Sequence, residues 1–147
     1  MKKIKRSLDK NKLKQFLTVI PYAEYLEIDI DRVTNESVTL RININRWNLH
    51  ERGGNNINYS ALYGPIDTAA YIVILNRLGE FRPAVTLSLK VNHLSNEILN
   101  DDIYFKASCI EINKEYAFSF IKVFQSNETI IANANAAFLF KPLSFKE

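Results

Sequence analysis

The stretch YGPIDTAAYIVILNRLG, residues 63–79, is the most apolar helix-like run in this 147-residue chain, and it carries one carboxylate, Asp67. Aspartate is among the residues least often buried without a partner, so Asp67 either sits at a wet helix end or has a task. If it is a cap, Gly64 is the N-cap, Pro65 the first helical residue and Asp67 the third. Its charge then complements the positive end of the helix dipole, worth about 0.3–1 kcal/mol. If it works chemically, a carboxylate at the start of a buried helix can attack a carbonyl carbon or activate water there. Backbone N–H groups at the helix start can hold the oxyanion that forms. The two accounts are partly compatible.

Other residues that could do chemistry are few. The two histidines, His50 and His93, have no neighbouring metal-ligand spacing, and there is no Gly-x-Ser-x-Gly nucleophile motif. No metal site is expected. His50 lies in the loop before the apolar helix and can approach a site there. Cys109 is the only cysteine, which excludes an internal disulfide and fits a reducing compartment. A lone strand cysteine reads as a small core residue.

The elements that must position Asp67 can be read from periodicity. Residues 9–20 place Leu13, Phe16, Leu17 and Ile20 at helical spacing, and Pro21 ends the segment. YLEIDIDRV and SVTLRINI alternate apolar and polar residues around TNE, which predicts a hairpin. A loop with glycines and asparagines, NLHERGGNNINYS, leads into the long helix and is expected to border any ligand pocket. After Pro83 the period is two. AVTLSLKVNHL sends Val85, Leu87, Leu89 and Val91 to one face, and Thr86, Ser88, Lys90 and Asn92 to the other. DIYFKASCIEI, YAFSFIKVF and TIIANANAAFLF are three more strands with links short enough for antiparallel neighbours. Ala132, Ala134 and Ala136 share a face on which a helix could lie close. The whole chain, 1–147, reads as a single α+β domain with a basic amino-terminal helical segment over 1–20.

Composition excludes several classes. Net charge is +3, and much of it lies in the first fourteen residues, at Lys2, Lys3, Lys5, Arg6, Lys10, Lys12 and Lys14. The rest is near neutral, so a nucleic-acid-binding core is not expected. The apolar stretch FLTVI is too short for a secretory signal, and no apolar run approaches the ~18 residues of a membrane span. The expectation is a cytoplasmic protein with no membrane partner.

Three stretches together resemble the hot-dog-fold acyl-CoA thioesterases of the phenylacetate-pathway type. INYSALYGPIDTAAY is similar to that family's loop-to-helix segment, which reads His-Gly-Gly or Asn-Gly-Gly, six residues, then Asp-Thr-Ala. RPAVTLSLKVNHL resembles the strand that follows, and NETIIANANAAFLF the closing strand. The resemblance runs from about Pro21 to Phe140. It implies a long central helix wrapped by a five- or six-stranded antiparallel sheet, paired edge to edge in a homodimer or dimer of dimers. The acyl thioester would lie in a tunnel along the subunit interface.

By position, the resemblance puts Asp67 on the catalytic carboxylate, as general base or nucleophile. Asn58 falls where His or Asn stands, as a polar contact to the thioester or the loop. Tyr59 and Ser60 replace the two glycines, with the backbone N–H of Tyr59 as oxyanion donor. Thr86 falls on a hydroxyl that orients water or the carboxylate; read alone, it is a β-branched residue that favours a strand. Ser60, Tyr63 and His50 are the implied substrate contacts. The family's upstream asparagine has no clean counterpart: Asn48 needs a longer loop and Asn55 sits too close.

The implied activity is hydrolysis of an acyl-CoA or acyl-carrier-protein thioester to a carboxylic acid and a free thiol. No cofactor takes part, coenzyme A being part of the substrate. Loss of both glycines keeps open a non-catalytic hot-dog protein that binds an acyl thioester or fatty acid. A purely structural dimer with a closed tunnel is a third reading. At least a homodimer is expected in each case, because Ile110, Ile112, Ile121 and Val123 fall on the strand phase away from the helix.

Overall fold

The computed structural model describes residues 10–18, 20, 27–46, 49, 54, 56–95, 99–126 and 129–142. His50 and the loop residues 47, 48, 51–53 and 55 lie outside them, as do Lys2, Lys3, Lys5 and Arg6.

Helix α1, Lys10–Leu17, is short and amphipathic. Leu13 and Leu17, one turn apart, are buried, while Lys10, Lys12 and Lys14 are exposed. Burying each leucine contributes about 1.5–3 kcal/mol, which holds an eight-residue helix that would not persist alone. Strands β1, Asp29–Val33, and β2, Ser37–Ile42, form the expected hairpin. The Thr34 hydroxyl closes its turn by accepting from the Ser37 N–H at 2.9 Å and the Glu36 N–H at 3.2 Å.

Helix α2, Tyr63–Leu78, is continuous with a preceding 3₁₀ turn, Tyr59–Leu62. Pro65 does not break it, since its missing N–H falls among the first four that have no intrahelical acceptor. The helix ends where Gly79 takes φ 78° and its N–H reaches the Leu75 carbonyl at 2.9 Å, a left-handed cap that favours glycine. Nearly every side of α2 is covered, from Ile66 to Asn76. A helix apolar on all sides belongs inside a fold.

The sheet wraps this helix. Its six strands run in the order β1-β2-β4-β5-β6-β3, every neighbouring pair antiparallel, with β3 as Ala84–His93, β4 as Ile103–Ile112, β5 as Tyr116–Gln125 and β6 as Ile130–Phe140. The α+β architecture of a long central helix wrapped by an antiparallel sheet is present, with six strands. The alanine stripe is buried as expected, Ala132 and Ala134 at 0% exposure and Ala136 at 3%. Close approach is visible in one bond: the buried Ser119 hydroxyl of β5 donates to the main-chain carbonyl of Ala70 in α2 at 2.8 Å. On the far side of the helix, the Asn76 carboxamide donates to the Thr34 carbonyl at 3.0 Å.

Two expectations about strand faces are corrected. Ile121 and Val123 point at the helix and are fully buried, and Ile112 packs against the core. Strand β5 is apolar on both phases, so alternation alone cannot choose its face. The phase that begins with the small residues Ala117 and Ser119 is the one that admits a helix. The aromatic phase, Phe118, Phe120 and Phe124, therefore faces outward, with Tyr104 stacked on Phe124 at 5.6 Å. Of the four residues assigned to the outer phase, Ile110 is exposed, at 64%.

The second correction concerns β3. The register against β6 pairs Thr86 with Phe138 and Ser88 with Ala137, so Leu87 is an extra residue in a bulge. Thr86 therefore shares the helix-facing side with Leu89 and Val91, whose partners Ala136 and Ala134 are buried. Val85 and Leu87 are displaced from that side and are 41% and 51% exposed.

Candidate active site

Three residues of α2 at one-turn intervals, Tyr63, Asp67 and Tyr71, form an open stripe on a helix whose other residues are buried from Pro65 to Asn76. All three reach residues of β3 or the segment that leads into it. The Tyr71 hydroxyl donates to the Arg82 carbonyl, and burial pushes its pKa up to about 12. Asp67 Oδ1 accepts from the Thr86 hydroxyl at 2.9 Å. The Tyr63 hydroxyl and His93 Nε2 form a hydrogen bond of 2.8 Å.

Asp67 does not occupy the capping position expected of it. The 3₁₀ turn carries the helix start back to Tyr63, with Leu62 and not Gly64 at the N-cap. Asp67 is thus in the second turn, and the dipole effect, which fades within the first, is a weak reason for it to be there. Partial burial raises its pKa above the ordinary carboxylate value, and the Thr86 hydrogen bond pulls it part of the way back. A carboxylate with one oxygen held and a raised proton affinity is well suited to take a proton from water.

The segment before the helix is stapled locally. Asn58 donates its N–H to the Leu49 carbonyl at 2.7 Å, and its side-chain oxygen accepts from the Ser60 hydroxyl at 2.8 Å. Asn58 and Ser60 are therefore engaged with one another. Tyr59 opens the 3₁₀ turn, so its N–H precedes the bonds that the turn makes internally. Its ring is tied to the end of β3. It lies edge-on to the His93 imidazole with centroids 4.7 Å apart, and its hydroxyl donates to the Ser95 carbonyl.

The structure thus brings together Asp67, Thr86, Tyr63 and Tyr59 between α2 and the edge strand β3. Sequence reasoning missed His93, which the bulge places on the same face of β3 as Thr86. Its even spacing from Leu89 and Val91, four and two residues, was the available signal. Cys109 is half-buried, and burial pushes its thiol up, as for an unreactive packing residue. Among the described residues, no three His, Cys, Asp or Glu side chains converge as a metal-ligand group.

Three grooves of about 670, 420 and 560 Å³ open elsewhere, on β1, β2 and β4 and beside α1. Asp67 and Thr86 line none of these three. No helix of the described residues is long and apolar enough to cross a membrane.

A family model, the thioesterase superfamily, matches residues 54–132, from the loop through α2 and on to β6. No curated protein sequence matches the chain. Among solved structures, the chain is similar to a candidate thioesterase from a Silicibacter species, with 21% identity over 95% of this chain and 96% of that one, at a TM-score of 0.82. It is similar to a protein from Pseudomonas aeruginosa, 19% identical over 88% and 97%, TM-score 0.78. A thioesterase from Haemophilus influenzae matches at 12% identity over 97% of both chains, TM-score 0.82. Identities this low speak for the fold, which is the hot dog.

Proposed function

This chain belongs to the thioesterase superfamily, and from that premise we propose that it hydrolyses an acyl-CoA or acyl-carrier-protein thioester with Asp67 as general base or nucleophile. The observation that carries this reading is the Asp67–Thr86 pair: a carboxylate of raised pKa, one oxygen held by a strand hydroxyl, on the open stripe of a buried helix.

In the general-base form, Asp67 takes a proton from water as the water oxygen bonds to the thioester carbon. The carbonyl electrons move to the oxygen, which the Tyr59 N–H stabilises at the start of the turn. Collapse re-forms the carbonyl and breaks the carbon–sulfur bond, and the sulfur leaves as thiolate and gains a proton. Thioester and water become carboxylic acid and thiol. In the nucleophilic form Asp67 attacks the thioester carbon and expels the thiolate, which gains a proton, and water then hydrolyses the resulting anhydride.

The phenylacetate-pathway subtype rests on the spacing of Asn58, Tyr59 and Asp67. A homodimer rests on β3, a ten-residue edge strand on which exposed Val85 and Leu87 flank Thr86, the hydrogen-bond partner of Asp67. A second copy paired there would enclose the Asp67 side of α2 along the subunit interface. Long exposed apolar edges are otherwise a liability.

Turnover of a panel of acyl-CoA thioesters, short, long and aromatic, tests the reading. Asp67→Asn keeps shape and removes the basic oxygen, so hydrolysis should fall by at least ~10²-fold while the melting temperature holds or rises. Turnover that survives the substitution would sink the assignment. Thioester binding without turnover by the wild type would favour the non-catalytic binding protein, which the residues at the two glycine positions, Tyr59 and Ser60, already recommend.

A further inference from the structure

His93 is absent from the chemistry above, yet it touches both aromatic residues that lead to Asp67. The Tyr59 and Tyr63 rings each meet its imidazole edge-on, at 4.7 Å and 5.8 Å between centroids. The Tyr63 hydroxyl bonds its Nε2 at 2.8 Å, and the Tyr59 hydroxyl is held by the carbonyl of Ser95 just beyond the strand. The main chain there is itself anchored, since the Leu94 N–H donates to the Ile131 carbonyl of β6 at 3.0 Å.

We infer that His93 is a positioning residue, a clasp through which β3 fixes the Tyr59 N–H relative to Asp67. This rests on the reading of Asp67 and Tyr59 as base and oxyanion donor. Tyr59, Tyr63 and Asp67 follow one another at one-turn intervals. The two ends of that row are tied to one strand, Asp67 through Thr86 and the two tyrosines through His93 and Ser95. β3 is paired to β6 along its length. The 3₁₀ turn that carries the donor is thereby held to a paired strand as well as to the start of α2, which limits how far it can swing from Asp67. Residues larger than glycine at positions 59 and 60 then cost the site less, because the Tyr59 side chain is itself the tether. Displacements near 1 Å in such a constellation can cost as much as ~10²-fold in rate.

The test compares His93→Ala, His93→Gln and Tyr63→Phe with wild type, with Asp67→Asn as a control on the parent reading. It uses acetyl-, decanoyl- and phenylacetyl-CoA, with hydrogen exchange of the backbone amides alongside. His93→Ala should lower kcat by ~10-fold or more with KM within about twofold, since an N–H aimed at the oxyanion acts in the transition state. His93→Gln, which keeps a hydrogen-bonding group for Tyr63, should recover part of the loss. Tyr63→Phe combined with His93→Ala should be no slower than His93→Ala alone, because both remove one contact. Exchange at the amides of residues 59–63 should quicken in His93→Ala, while that at Ile72–Leu75 stays as it was.

An unchanged kcat in His93→Ala, or a rise in KM alone, overturns the clasp even if Asp67→Asn abolishes turnover. Unaltered exchange at residues 59–63 overturns it independently of activity. Full turnover by Asp67→Asn, or none by wild type, overturns the parent reading and this inference with it.

Discussion

The Asp67 carboxyl holds its proton to higher pH in the fold than in the open chain, because part of its surface has left water. The Thr86 hydroxyl opposes this without cancelling it. The sign for stability follows by linkage. Between the ordinary value of 3.8 and the raised folded value, the native state binds more protons than the unfolded state. Stability from this group is complete below 3.8 and is lost as pH rises through the folded pKa. Asp67→Asn removes that loss. Its melting temperature relative to wild type should therefore climb as pH rises from 3.8 and level off above the folded pKa. Paired melting curves across pH check this, and a difference that falls with pH would contradict it. Such a pattern marks a carboxylate kept at some cost for a use other than folding.

At the scale of elements, the site depends on how closely α2 lies on the sheet and on where β3 slips. Closeness comes from Ala132, Ala134 and Ala136 of β6 and from Ala117 and Ser119 of β5, all buried. Ala134→Leu adds volume with nowhere to go and should destabilise by about 1–3 kcal/mol, read from urea midpoints at unchanged slope. A smaller effect would mean that the helix rides higher than the Ser119–Ala70 bond indicates. The slip is the Leu87 bulge. Without it, residues 86 and 89 would face opposite ways, and Thr86 could not reach Asp67 from a strand whose Leu89 and Val91 pack inward.

At the scale of the molecule, one chain leaves Asp67 between a covered helix and an unpaired edge. Val85 and Leu87 lie exposed on that edge, and Phe81, before β3, is 46% exposed. Sedimentation at micromolar concentration should give a dimer or larger. Val85→Glu with Leu87→Glu should give monomers, since pairing two β3 strands would bring like charges together. Turnover should fall with dimerisation if the partner closes the tunnel. A fully active monomer would remove the interface from the site.

The sequence by itself determined the element order, the antiparallel hairpins, the central helix and the carboxylate upon it. Each is written in local patterns: apolar periods of 3.6 and 2, short polar links, and the alanine stripe. It also brought Asp67, Tyr59 and Thr86 into view through a resemblance in spacing. The tertiary structure alone decided which face each strand buries, because β5 is apolar on both phases and parity carries no absolute direction. It alone displaced Leu87, since a bulge is set by pairing with β6 and leaves no mark in β3's own alternation. It moved the helix start from Pro65 back to Tyr63, behind a 3₁₀ turn and without a side-chain cap. And it joined His93 to Tyr59 and Tyr63, residues far apart in the chain that only a strand folded against a helix can bring within one hydrogen bond.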